Sequence, residues 1–207
     1  YNATTPIDKR VLEKMIPYFT EKYGNTESYN HLYGWESKEA LENSRELIAN
    51  HINAENHEII FTSGATESIN LAIKGFCSKN SNQKNHIISQ VTEHKAVLNT
   101  LNHVKNHGWE VTQLPVDKNG LIDSNKLISA ITPNTSLVVL MHANNEIGTI
   151  HDIKKIGEIC KMHNLVFFTD VAQTFGKTKL DVNSMNIDLL SASAHKIYGP
   201  KGIGFLY

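Results

Sequence analysis

The chain has 207 residues, 40% of them hydrophobic and 20% charged, with a formal net charge of −1, which suits one large folded domain and excludes a disordered segment. Near-neutrality gives no electrostatic footprint for nucleic acid or an anionic membrane surface, no apolar run approaches the roughly 18 residues of a bilayer span, and no basic-then-apolar leader opens the chain. Two cysteines, Cys77 and Cys160, cannot build a disulfide framework, so a reducing compartment is expected, the cytoplasm or an organelle matrix.

Residues 1–57 carry helical patterns over 11–19 and 38–52, separated by a polar, turn-rich stretch over 24–30. They read as an N-terminal helical segment preceding an α/β body over 58–207. From residue 58, short β-branched runs alternate with amphipathic helices. Residues 58–62 read as a buried strand, and Ile69, Ala72, Ile73 and Phe76 then recur at the spacing of one helix face. Residues 86–89 form the next strand, followed by a helix marked by Val97, Leu101 and Val104. A strand over 111–116 precedes a short helix that Asp123 caps. Residues 137–141 are almost continuously apolar, as expected of a strand covered on both faces. Ile153, Ile156 and Cys160 mark another helix, and strands over 165–168, 189–192 and 203–206 complete the set. Such alternation predicts a mostly parallel sheet flanked by helices.

Ligands of open α/β sheets sit beyond the carboxyl ends of the strands, so the residues following each strand are the informative ones. They are Ser63-Gly64-Ala65-Thr66, Thr92-Glu93-His94, 142–149, 170–173 and Ser193-Ala194-His195-Lys196. Gly64-Ala65-Thr66 opens a helix, where free N–H groups and the helix dipole favour a phosphate. Lys196 offers an amine that can form a Schiff base with an aldehyde. Asp170, opposite a pyridine nitrogen, would keep that nitrogen protonated and make the ring an electron sink. Singly, these also read as an ordinary turn, a surface lysine, and a helix cap or metal ligand. Together they fit pyridoxal 5'-phosphate (PLP).

The ordered motifs Gly64-Ala65-Thr66-Glu67-Ser68, Thr92-Glu93-His94-Lys95, Met141-His142-Ala143-Asn144-Asn145-Glu146, Asp170-Val171-Ala172-Gln173 and Ser193-Ala194-His195-Lys196 resemble those of the cysteine desulfurases. So does Asn2-Ala3-Thr4-Thr5-Pro6. The flavour is that of the NifS/IscS-like group within the class V PLP-dependent aminotransferases. The resemblance implies the large domain of the PLP-dependent transferases of fold type I. It implies Lys196 as the residue holding the cofactor and moving the substrate's Cα proton, with His94 stacked on the ring and assisting proton transfer. It also implies Asp170 at the ring nitrogen, Asn145 and Gln173 near the phenolic oxygen and substrate, and Ala65, Thr66, Ser193 and His195 at the phosphate. The implied activity converts L-cysteine to L-alanine, leaving an enzyme-bound persulfide that supplies iron–sulfur cluster assembly and tRNA thiolation. The implied partners are a second copy in a homodimer and a sulfur-acceptor or scaffold protein.

The family's nucleophilic cysteine and carboxylate-clamping arginine lie beyond the lysine, and neither has a match here. The chain therefore reads as the cofactor-binding half of such an enzyme, cut at both ends, inactive alone and with a truncated sheet edge. Cys77 and Cys160 fall on helix faces and read as small core residues. His103 and His107 have i, i+4 spacing suited to zinc but no third ligand, so a solvated face is expected. The alternatives are a non-catalytic PLP-binding or docking module, and a related enzyme such as a selenocysteine lyase or an aminotransferase. A nucleotide-binding domain fits poorly without a glycine-rich fingerprint.

Overall fold

A computed structural model describes residues 1–80 and 84–207. The runs read as strands assemble into one sheet of β1 (Ile60–Thr62), β2 (His86–Gln90), β3 (Glu110–Leu114), β4 (Thr135–Val139), β5 (Val166–Asp170), β6 (Leu189–Ser193) and β7 (Gly204–Leu206). Their spatial order is β1-β7-β6-β5-β4-β2-β3. Strands β2 to β6 pair in parallel, while β7 runs antiparallel to both of its neighbours, β6 and β1. Since β7 reverses twice across its two pairings, β1 points the same way as the parallel set. The carboxyl ends of six strands therefore share one edge.

The helices are α1 (Lys9–Met15), α2 (Pro17–Thr20), α3 (Leu32–Ile52), α4 (Ala65–Lys79), α5 (Lys95–Lys105), α6 (Ser124–Ala130) and α7 (Ile153–Met162). They cover both faces. Ile69, Ile73 and Cys77 of α4 and Val97, Leu101 and Val104 of α5 pack on one face with Ile87, Leu137, Val139 and Phe168. Ala49 and Ile52 of α3, Leu127 of α6, and Ile153, Ile156 and Cys160 of α7 pack on the other with Ile88, Val138, Phe167 and Leu190. Successive strand residues thus go to opposite cores, which is why 137–141 is apolar without alternation.

Several boundaries differ from the sequence reading, each for a local reason. The helix expected over 11–19 divides at Ile16, because Pro17 has no N–H to continue the ladder and instead starts α2. Helix α3 begins at Leu32, six residues before the expected start, where the Nδ1 of His31 accepts the Gly34 N–H at 3.3 Å. The strand expected over 111–116 stops at Leu114, and Val116 makes an isolated bridge to Ile122 across a tight turn built on Asp117. The strand expected over 137–141 is shifted to Thr135–Val139. The last strand is not a sheet edge: β7 inserts between β1 and β6.

Candidate functional site

At the shared strand edge lies a cavity of about 570 Å³. Every residue that the resemblance puts at the cofactor lines it: Ala65, Thr66, His94, Asn145, Asp170, Gln173, Ser193, His195 and Lys196. Five segments, following β1, β2, β4, β5 and β6, bring them together.

The phosphate-type end is built on α4. Asp8, His31, His94, Asp123 and Asp152 cap α1, α3, α5, α6 and α7 through their side chains, but Gly64 at the N-cap of α4 has none to offer. The first N–H groups of this 15-residue helix are thus left open to an anion. Gly64 has φ of 151°, and β7 presses against it: a Cβ on Gly204 would lie 2.6 Å from the Gly64 Cα. Ser193 lies against this end, its Oγ 3.6 Å from where a Cβ on Gly64 would be, and His195 lines the same cavity. The His195 Nδ1 and the Thr4 hydroxyl are 3.1 Å apart. Burial, then Lys196 and Lys201, lower the His195 pKa and favour its neutral ring.

Asp170 ends β5 and is 7% exposed. Its Oδ1 accepts the Ala172 N–H at 2.9 Å. Burial raises its pKa, opposed by that N–H and by the nearby Lys196 ammonium. His94 caps α5, its Nδ1 accepting the Ala96 N–H at 3.1 Å, so a neutral ring carries its proton on Nε2. Lys196 closes a short 3-10 turn after β6. Burial and nearby Lys177 lower its pKa while Asp170 raises it. The residues after it are held tightly: Tyr198 takes φ of 64°, and a Cβ on Gly199 would lie 2.8 Å from that of Ala194.

No local patterning signals that the N-terminal segment crosses this cavity. The Lys196 ammonium donates to the carbonyls of Asn2 and Ala3, the latter at 2.7 Å. The Gln173 amide donates to the Asn2 carbonyl at 2.9 Å, and the Asn2 amide donates to the Asn145 carbonyl at 2.9 Å. Thr5 N–H to His195 O and Asp8 N–H to Tyr198 O anchor this segment. The family-like run Asn2-Ala3-Thr4-Thr5-Pro6 was the only available signal. Lys201 and Met141 also line the cavity, and the sequence reading assigns neither a role.

The remaining candidates lie elsewhere. Cys77 and Cys160 are buried, and burial pushes both thiols up to about 12. His103 and His107 stack with ring centroids 4.3 Å apart on α5 and the turn after it, and the His107 Nδ1 is spent on the His103 carbonyl. Among the described residues no three His, Cys, Asp or Glu side chains cluster as metal ligands.

The class-V aminotransferase family model matches residues 1–207. Cysteine desulfurase IscS of Rickettsia africae (strain ESF-5) is 55% identical over 207 residues, all of this chain and 50% of that protein. A probable mitochondrial cysteine desulfurase of Dictyostelium discoideum is 55% identical over 205 residues, 99% of this chain and 46% of that protein. The solved structure of SspA in complex with cysteine is 45% identical, with a TM-score of 0.96 over all of this chain and 59% of that one. The chain thus spans about half the length of the relatives it matches. The mostly parallel seven-stranded sheet is that of fold type I, and the chain belongs to the class-V aminotransferase family, among relatives that are cysteine desulfurases.

Proposed function

We propose that this chain supplies the PLP site of a cysteine desulfurase acting on L-cysteine. The observation that carries the reading is the convergence in one cavity of an amine (Lys196), a buried acid (Asp170), a ring (His94) and an uncapped helix N-terminus (Gly64-Ala65-Thr66). The residues fit the cofactor chemically. The open N–H groups of α4, with Thr66, Ser193 and His195, match a phosphate. Asp170 matches a protonated ring nitrogen, and Asn145 and Gln173 are amides placed to address its polar substituents. Bound there, PLP supplies an aldehyde for an amine and a ring that accepts electron density.

The chain's own residues account for the rest. Partial burial leaves Lys196 more readily unprotonated than an exposed lysine, as a base for a substrate Cα proton must be. Asp170 keeps a negative charge where a ring nitrogen must stay protonated. His94, with its proton on Nε2, can exchange a proton with groups inside the cavity. Neither Cys77 nor Cys160 can act as the sulfur-accepting thiolate, since both are buried away from the cavity with thiols near 12. That thiolate is supplied from outside these 207 residues. In this reading the product is L-alanine, and the persulfide serves a sulfur-acceptor or scaffold protein in iron–sulfur cluster assembly and tRNA thiolation.

A homodimer and a division into a helical segment over 1–57 and an α/β body over 58–207 belong to the same proposal. Phe19, Trp35 and Leu47 of the first segment are 72%, 57% and 72% exposed, apolar surface of a kind that a partner surface covers. Among the described residues no helix is long and apolar enough to cross a membrane, and a cytoplasmic or organelle-matrix setting completes the proposal.

The test is a visible absorption spectrum of the full-length protein with added PLP, compared with Lys196→Ala. We expect a band that borohydride traps on Lys196 and that the variant lacks. A lysine-independent band, or none in folded protein, would reject the reading.

A further inference from the structure

Glu93 precedes His94 but does not line the cavity, and it is 5% exposed. Its Oε1 accepts the Met141 N–H at 2.6 Å and the Gln90 side-chain amide at 3.1 Å. Its Oε2 is fully buried and has no hydrogen-bond partner among the described residues. Met141 follows β4, and the next N–H, that of His142, donates to the Asp170 carbonyl at 2.9 Å. Close by, the Asn144 amide donates to the Thr92 carbonyl at 2.9 Å. The turn carrying His94 is therefore tied twice to the loop carrying Asn145, and one tie is the Glu93 carboxyl.

A carboxylate with one bare oxygen in a buried, cation-free setting is costly, and a carboxylic acid costs much less. Burial pushes the Glu93 carboxyl up to about 8, the charge of Asp170 adds to this, and the N–H of Met141 and the amide of Gln90 only partly offset it. The other charged or titratable groups here act differently. Lys196 after β6 stabilises the anion of Asp170 at the end of β5, while His94 on the same turn spends its Nδ1 lone pair on the Ala96 N–H and adds no charge. His142 beyond β4 is kept neutral by burial, with a pKa of about 4. Two neighbouring buried carboxyls resist joint ionisation, and the Lys196 ammonium favours Asp170 as the charged one.

We infer that Glu93 is a positioning residue that works in its protonated form, tying the His94 turn to the end of β4 while leaving the negative charge of the site to Asp170 alone. The inference rests on the PLP reading of the cavity. Glutamine mimics the neutral acid and preserves both acceptor contacts. Aspartate, one methylene shorter, cannot span to the Met141 N–H from the same backbone.

The experiment uses the full-length protein, its Glu93→Gln and Glu93→Asp variants, and two readouts. Infrared spectroscopy of the cofactor-free protein at pH 7 should show a protonated carboxylic acid band that Glu93→Gln removes and that disappears in wild type as pH passes about 8. Fluorescence titration with PLP at pH 7 should leave Glu93→Gln within about threefold of wild type and weaken Glu93→Asp about tenfold or more, the scale of one lost buried hydrogen bond. From pH 7 to 9 the cofactor spectrum should change in wild type and stay constant in Glu93→Gln. Absence of the infrared band, or a Glu93→Gln protein as impaired as Glu93→Asp, overturns the inference. If Glu93→Asp does not fold, the infrared and Glu93→Gln results decide. Failure of wild type to give a Lys196-dependent band would reject the PLP reading instead, while the infrared readout still reports on Glu93.

Discussion

Asp170 illustrates how one residue trades stability for chemistry. It is buried, and burial raises its pKa against a single direct backbone donor, Ala172. A carboxyl whose folded pKa is raised loses stability as pH climbs from its unfolded value through the folded one, because the native state must then hold an unfavourable charge or an extra proton. Asp170→Asn removes that cost, so its melting temperature at pH 7 should equal or exceed that of wild type. Its turnover should fall by about 10²-fold or more, the scale of losing one preorganised electrostatic group. Thermal unfolding and turnover assays on the same full-length preparation check both. A variant that melts well below wild type would mean that Asp170 serves chiefly to hold the fold.

At the scale of elements, β7 couples the sheet to the α4 end of the cavity. Gly204 permits this: a Cβ there would meet the Ala192 carbonyl oxygen at 2.5 Å and the Gly64 Cα at 2.6 Å. Both are backbone atoms, so the strand or the α4 turn must shift. Gly204→Ala should destabilise the protein by about 1–3 kcal/mol, as overpacking does, and also weaken PLP binding at least severalfold. Gly157 of α7 is the matched control, since a Cβ there would lie 1.9 Å from the Met185 carbonyl oxygen, in a contact that includes no cavity-lining residue. Gly157→Ala should cost comparable stability yet leave PLP affinity of the folded protein within about twofold, because packing defects away from a site act additively with it. Denaturant melts and cofactor titrations of the two variants separate these effects.

The whole molecule carries its buried histidines neutral. Burial lowers the pKa of His142 to about 4 and lowers those of His151 and His86. A depressed histidine supports the fold above its unfolded pKa near 6.5 and withdraws that support as pH falls toward the folded value, since the unfolded chain takes up the proton first. The melting temperature should therefore drop between about pH 6.5 and 4. His142→Gln should flatten that limb by about 1–3 kcal/mol, or several degrees. A limb of unchanged steepness would assign the acid sensitivity to other groups. Much of this molecule was legible in its residues. The two periodicities fixed the sheet and its helices, because burial on both faces demands unbroken apolar runs such as 137–141. The strand ends then brought out Lys196, Asp170, His94 and Gly64-Ala65-Thr66, because a parallel sheet gathers its carboxyl ends on one edge. Tertiary structure alone decided that β7 enters between β1 and β6, that Asn2 and Ala3 reach across the chain to Lys196, and that Glu93 lies buried beside an exposed-looking turn. The physical reason is shared: these contacts join residues some 50 to 190 positions apart, and local hydrophobic patterning carries no information about which distant backbone group will complete a hydrogen bond.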